Sequence, residues 1–260
     1  MSVMSFSHTV ATTASLSLLL FSSPIAAQPS QIHLAIMEEP STSMSVQFST
    51  PVTTQSEQVI QYGNSADDLA FVETTASYNF TDGGSEHYEQ TFHIGEMKHL
   101  KPHTRNYYRV GSDGGGWSDV YDFVTAPVNG DTSAFPLRFG IWGDMGHTNS
   151  QILMSVKEEV ENNNFDMILH VGDFAYDMHD DNGHKGDAFM NDIQPMAARV
   201  PYMVSQRPQL FSALLFILTC VDANSDADAH RSIWVTTSTH MNGLITRRDS
   251  EICHTPMILS

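Results

Sequence analysis

Three short apolar runs in the second half of the chain are each closed by turn-forming residues: Leu137 to Trp142, Met167 to Val171 and Pro201 to Val204. Runs of this length bounded by Gly, Asp or Pro predict buried strands. Between the first two, Ile152, Leu153, Val156 and Val160 recur at helical spacing, starting after Ser150 and stopping at the breaker run Asn162 to Asn164. Serine is a helix-capping residue type, so the pattern predicts a helix capped by Ser150 and hence a β-α-β unit. A right-handed crossover makes the two strands parallel and brings both carboxyl ends to one edge of the sheet, where α/β proteins build their sites.

Residues 31–125 carry a different period. Short alternating stretches such as Met44 to Phe48 and Tyr107 to Val110 are separated by turn signals at Gly63-Asn64, Asp82-Gly83-Gly84 and Asp113 to Gly116. That spacing predicts an antiparallel β-sandwich. Pro127 to Pro136, with Gly130 and Ser133, reads as a linker between the two regions.

The chemistry lies at the two predicted strand ends. Asp144 sits in Gly143-Asp144-Met145-Gly146, and Asp173 in Gly172-Asp173-Phe174-Ala175-Tyr176-Asp177. A lone Gly-Asp after a strand is ordinary turn chemistry, and a lone Tyr at a loop tip is ordinarily a packed ring. Joined by strand, helix and strand, the pair is more specific, because two carboxylates brought close together attract a cation. Tyr176 bears on the cation's type. A free phenol loses its proton only near pH ~10, so a phenolate ligand needs a strongly Lewis-acidic metal, for which ferric iron suits better than zinc or magnesium alone.

With GDMG at 143–146, GDFAYD at 172–177 and GDAFMNDIQPMAARVPYMV at 186–204, the stretch from Leu137 to Val204 resembles the first part of a purple acid phosphatase catalytic domain, of the long animal type. Upstream, HLKPHTRNYYRVGS at 99–112 and Trp117 to Thr125 resemble the fibronectin type III-like domain that precedes it in that family, with Asn106 where a corner tyrosine is usual. The resemblance implies an α/β plus β architecture: a signal peptide at 1–27, a fibronectin type III-like sandwich at 28–127, a linker at 128–136, the N-terminal part of a metallophosphoesterase domain at 137–204, and an unassigned tail at 205–260. It also implies a dinuclear centre of Fe(3+) with a second divalent metal (Fe, Zn or Mn), in which Asp144 binds the ferric ion, Asp173 bridges and Tyr176 is the ferric phenolate. The implied reaction is in-line attack on a phosphate monoester by a metal-activated hydroxide.

The resemblance stops after Val204. The family continues into a Gly-Asn-His-Glu segment, where this chain has Ser205-Gln206-Arg207-Pro208, and the later Gly-His-x-His motif is missing. His230, His240 and His254 stand in neither context, and isolated histidines are ordinarily exposed. Two such metals want roughly four to six donors each. Three recognisable donors, one of them shared, predict a centre that does not close, an unpaired sheet edge and an impaired acid phosphatase. Two other readings use the same residues: a secreted noncatalytic protein that binds through its sandwich, and a phosphodiesterase on the same scaffold.

Targeting and charge narrow the partners. The apolar core Leu16 to Phe21, then Pro24 and Ala26-Ala27, has the layout of a secretory signal peptide, although no Lys or Arg precedes it. Asn79-Phe80-Thr81 is a glycosylation acceptor on the predicted sandwich. Both features predict a secreted or lysosomal destination. A net charge of -18 repels nucleic acid and acidic membranes. The run Leu210 to Val221 is too short for a membrane span, which needs about 17 to 25 residues. Asp177, His179, Asp180, Asp181 and His184 read as a solvated loop. Cys220 and Cys253 lie in the tail, where sequence alone does not decide whether they pair.

Overall fold

The computed structural model describes residues 28–205, apart from 55, 132, 134 and 135, together with the backbone of 232–235 and 245–246. The alternating half of the chain forms β1 (Ser30–Ala35), β2 (Met44–Pro51), β3 (Val59–Gly63), β4 (Phe71–Thr74), β5 (Ala76–Thr81), β6 (Glu89–Met97), β7 (Arg105–Ser112), β8 (Gly116–Trp117) and β9 (Tyr121–Val124). They make two antiparallel sheets, β1-β2-β6-β5 and β4-β3-β7-β8 with β9 on β7. Period-2 alternation turns Ile32, Leu34, Val46, Phe48, Ile60, Tyr108, Val110 and Phe123 into one core between them, which is a β-sandwich. Asn106 does not leave a gap at its position. It is buried, and its Nδ2 donates to Thr104 O at 2.8 Å, so the amide satisfies the turn locally.

His93, in the middle of β6, is a buried neutral imidazole. Its Nε2 pairs with Thr50 Oγ1 at 2.8 Å, its Nδ1 with Ser77 Oγ at 2.7 Å, and its ring stacks on Phe48 at 4.8 Å. Burial pushes its pKa from 6.5 down to about 4. Between those two pH values the unfolded chain holds a proton that the folded chain does not. The contribution is therefore complete above about pH 6.5 and is lost as pH falls toward 4. Denaturant unfolding is expected to show up to about 3 kcal/mol more loss between pH 7 and pH 4 in the wild type than in His93→Gln, which does not titrate. Equal slopes in the two proteins would refute this.

The second half forms β10 (Phe139–Trp142), β11 (Met145–Gly146), α1 (Leu153–Glu161), β12 (Met167–Val171), β13 (Phe174–Ala175), α2 (His184–Ala197), β14 (Tyr202–Ser205), β15 (Ser232–Val235) and β16 (Ile245–Thr246). The main sheet runs β14-β12-β10-β15-β16, parallel from β14 through β15 and antiparallel at β16. The three apolar runs thus become β10, β12 and β14. Val156 and Val160 of α1 share a core with Phe189, Ile193 and Met196 of α2 and with Trp142 and Ile168 of the sheet.

One expectation is corrected. Ser150 is not the helix cap: α1 begins at Leu153 with Ile152 as N-cap and no side-chain cap, because the Ser150 hydroxyl donates instead to His147 O at 3.3 Å. Helix α2 forms although Gly186 and Pro195 lie within it, because Phe189, Ile193 and Met196 supply a buried stripe. Beside β10 the sheet continues into β15, parallel through Phe139↔Ile233 and Ile141↔Val235, while its other end is β14, which among the described strands pairs only with β12. Among the described residues no helix is long and apolar enough to cross a membrane. Residues 1–27, the run Leu210 to Val221 and both cysteines lie outside the described residues.

The sandwich and the α/β layer share contacts along α2. Tyr108 donates its buried hydroxyl to Ala198 O at 2.8 Å, and Ala198 itself belongs to the sandwich core. Gln194 accepts from Ile32 N at 3.0 Å and donates to Tyr121 Oη at 3.0 Å. The Asp122 carboxylate takes both Arg105 from its own layer and Arg199 from the other.

Candidate metal centre

Parallel pairing of β10 with β12, ending at Trp142↔His170, sends both Gly-Asp turns off the same sheet edge. The turns then pair with each other: β11 lies parallel to β13 through Met145↔Phe174 and Gly146↔Ala175. Asp144 and Asp173 each immediately precede a paired residue, so this two-residue ladder sets them side by side. The glycines permit the approach. A Cβ on Gly143 would lie 2.7 Å from Val171 O, and one on Gly146 would lie 2.6 Å from Ala175 O, both too close for any side chain.

Tyr176 closes the group. Its hydroxyl donates to Asp144 Oδ1, and Asp173 is also within its electrostatic and hydrogen-bonding reach. These neighbours push the phenol pKa up to about 12, led by the hydrogen bond to Asp144, with desolvation and the two carboxylate charges behind it. Asn149 steadies Asp144, donating from Nδ2 to its carbonyl at 2.9 Å and to Oδ1 at 3.2 Å. Asp144, Asp173, Ala175, Tyr176 and Asp177 all adopt positive φ, between 45° and 70°. Such backbone is uncommon outside glycine and persists where the surrounding structure holds it, often at functional sites.

Aromatic packing supplies the hold from below. His170 is fully buried at the end of β12. Its Nδ1 pairs with Tyr202 Oη at 2.8 Å, its ring lies edge-on to Phe174 at 5.0 Å, and burial lowers its pKa to about 4, so it stays neutral. Phe174 rests in turn on Phe189 of α2, at 5.0 Å and nearly perpendicular. On the rim, His147 Nδ1 pairs with Asp192 on α2 at 2.7 Å.

The sandwich braces the loop that follows Tyr176. Asn182 Oδ1 accepts from Glu86 N and Ser85 Oγ, both at 3.2 Å. Asp187 Oδ1 accepts from Gln31 Nε2 at 2.8 Å and Gln90 Nε2 at 3.1 Å, joining β1 and β6 to the first turn of α2. The charged cluster expected to be a solvated loop is exposed but anchored. Lys185 reaches Asp177 at 3.3 Å and Asp180 at 3.5 Å, and His184 packs against Tyr88.

Asp144, Asp173 and Tyr176, singled out from sequence, are thus brought together. The residues that orient them were missed: Asn149, His170, and Asp187 with its two glutamines. Asn149 lies only five residues beyond Asp144, a visible signal, whereas the Asp187 partners are remote in sequence. His230, His240 and His254 lie outside the described residues. Among the described residues, no group of three or more His, Cys, Asp or Glu is gathered as a metal cage. The corner is therefore two carboxylates and a phenol, an all-oxygen face chemically suited to one hard cation.

A β-sandwich joined to a parallel sheet whose strand ends present this oxygen-rich corner defines a class, and comparison with known proteins specifies it. Residues 29–125 match the family model described as the purple acid phosphatase N-terminal domain. Acid phosphatase type 7 of Mus musculus is 38% identical over 176 residues, which are 67% of this chain and 39% of that protein. Its namesake in Danio rerio is 34% identical over 181 residues, 69% of this chain and 39% of that protein. Probable inactive purple acid phosphatase 24 of Arabidopsis thaliana is 31% identical over 138 residues, 44% of this chain and 20% of that protein. The chain belongs to the purple acid phosphatase family. It spans about two fifths, 39%, of the length of the two animal relatives.

Proposed function

We propose that this chain carries one side of a phosphatase metal centre, with Asp144, Asp173 and Tyr176 as its ligands, and that it hydrolyses phosphate monoesters weakly or not at all. The observation that carries the reading is the convergence of a phenol and two carboxylates on one pair of parallel strand ends. Tyr176 Oη now donates to Asp144 Oδ1, and Tyr176, Asp144 and Asp173 are the residues that would hold a hard cation, the phenol giving up its proton on binding. A bound ferric ion would supply Lewis acidity and neutralise phosphate charge. Asn149 would keep Asp144 oriented, and the Met145↔Phe174 pairing would keep Asp173 beside it. Three oxygen donors suit one ion better than a dinuclear pair with Fe, Zn or Mn as the second metal. The same reading takes residues 28–127 as a fibronectin type III-like domain, 128–136 as linker and 137–204 as metallophosphoesterase. It takes 1–27 as a signal peptide, with a secreted or lysosomal destination supported by Leu16 to Phe21 ahead of Ala26-Ala27.

Titrating the purified chain with chelated ferric iron is expected to raise a visible phenolate-to-iron absorption band. That band should vanish in Tyr176→Phe and weaken in Asp173→Asn, with little turnover of 4-nitrophenyl phosphate. No band in the wild type would overturn the metal assignment. Turnover that Asp173→Asn abolishes would overturn the impairment.

A further inference from the structure

Strand β5 is an edge with little to protect it. It is the outer strand of the sheet β1-β2-β6-β5, paired with β6 on one side, and all six of its residues are exposed. Its sequence, ASYNFT, has no charge, proline or glycine. Tyr78 (56% exposed) and Phe80 (40% exposed) project from one face and gather around Phe92 of β6, at 5.4 and 5.6 Å, with Ile94 next along that face. An uncharged edge with an apolar stripe is a template for strand addition by another chain, and soluble proteins normally blunt it with Lys, Pro, a bulge or a cover.

What this edge does carry is Asn79-Phe80-Thr81, the single Asn-x-Ser/Thr triplet in the 260 residues. Asn79 and Thr81 alternate with the aromatic residues and so share the opposite face of the strand. Thr91 Oγ1 donates to Asn79 Oδ1 at 3.0 Å, while among the described residues no hydrogen bond engages Asn79 Nδ2, the atom that would carry a sugar. Strand addition requires a new chain to lie about 4.8 Å away along the edge. A branched oligosaccharide rooted at the fourth of six residues would sweep through that space.

We propose that Asn79 is N-glycosylated and that the glycan guards the β5 edge against pairing with a second copy of this chain. The co-reactant is a polyprenyl-pyrophosphate-linked oligosaccharide. A bond forms between Asn79 Nδ2 and the sugar C1, the bond from C1 to the pyrophosphate oxygen breaks, one amide proton is released, and polyprenyl pyrophosphate leaves. The inference is independent of the metal reading, because it uses neither Asp144, Asp173 nor Tyr176.

The full chain expressed in secreting animal cells tests it, with occupancy of Asn79 read by mass spectrometry on both cell-associated and medium fractions. The wild type and Thr81→Ser, which keeps the triplet, are expected to be occupied and monodisperse in sedimentation velocity. Thr81→Ala, which removes the triplet, should lose the glycan and self-associate several-fold more at equal concentration. Asn79→Lys, which also lacks the glycan but places a charge on the edge, should return to monodispersity, which separates edge protection from a need for the glycan in folding. An unoccupied Asn79 in both wild-type fractions would overturn the proposal, and so would a Thr81→Ala protein as monodisperse as the wild type.

Discussion

Replacing Phe189 by alanine is expected to cost about 3–5 kcal/mol of folding stability and to blur the metal-site corner at the same time. Phe189 is fully buried on α2, where it belongs to the core shared by Trp142, Ile168 and Ile193. Truncation would open a cavity flanked by two layers that cannot both collapse into it, which is the condition for the upper part of that range. The second effect follows from position. The ring of Phe189 stands under Phe174, and Phe174 is the residue whose pairing with Met145 sets Asp173 beside Asp144. Denaturant midpoints give the stability loss. Phe189→Leu, which leaves a much smaller cavity, should lose only about 1–2 kcal/mol. A Phe189→Ala loss no larger than that of the leucine variant would show that the core does not close around this ring.

How far the site could be read from sequence depends on the range of each interaction. Strands β10, β12 and β14 were legible because each is an apolar run ended by turn residues, and the parallel order followed from the intervening helix. Asp144, Asp173 and Tyr176 were legible for the same reason: two strands and a crossover fix where their ends lie. The start of α1 was misread. Ser150 has the right chemistry for a cap, but Asn149 is engaged by Asp144, and the Ser150 hydroxyl turns back to His147 O, so the first helical turn is displaced toward Leu153. The β11–β13 ladder was invisible, since a two-residue pairing has no period. So was β15, four residues in a tail without sustained alternation. The sandwich was legible as a class, yet its attachment to α2 was not. Tyr108 and Ala198, or Gln31 and Asp187, lie far apart in the chain, and polar side chains carry no pattern that names a distant partner.

That attachment yields the other large expected effect. Gln31 and Gln90 are buried, their amides bond to each other at 3.2 Å, and both donate to one oxygen of Asp187. The Tyr88 phenol also faces that carboxylate, which contributes to raising its pKa, after desolvation. Asp187→Ala would leave Gln90 Nε2 without its acceptor and Gln31 Nε2 with only its bond to Gln90 Oε1, and each buried amide N–H so stranded costs roughly 1–3 kcal/mol. Partial exposure of Asp187 argues for the lower half, so a total loss of about 2–4 kcal/mol is expected. The local consequence discriminates better than the global one. Lys185 and Gly186, just before Asp187, bond to Asp177 and Met178 and so tether the loop that leaves Tyr176. Amide hydrogen exchange across 173–183 should therefore accelerate in Asp187→Ala beyond what the lower global stability accounts for, with Asp187→Asn intermediate because it keeps an acceptor oxygen. If exchange there tracks global unfolding alone, Asp187 is a stability residue and the sandwich does not brace the corner. If it accelerates selectively, the sandwich is part of the apparatus that holds Asp173 and Tyr176 in their strained backbone conformation.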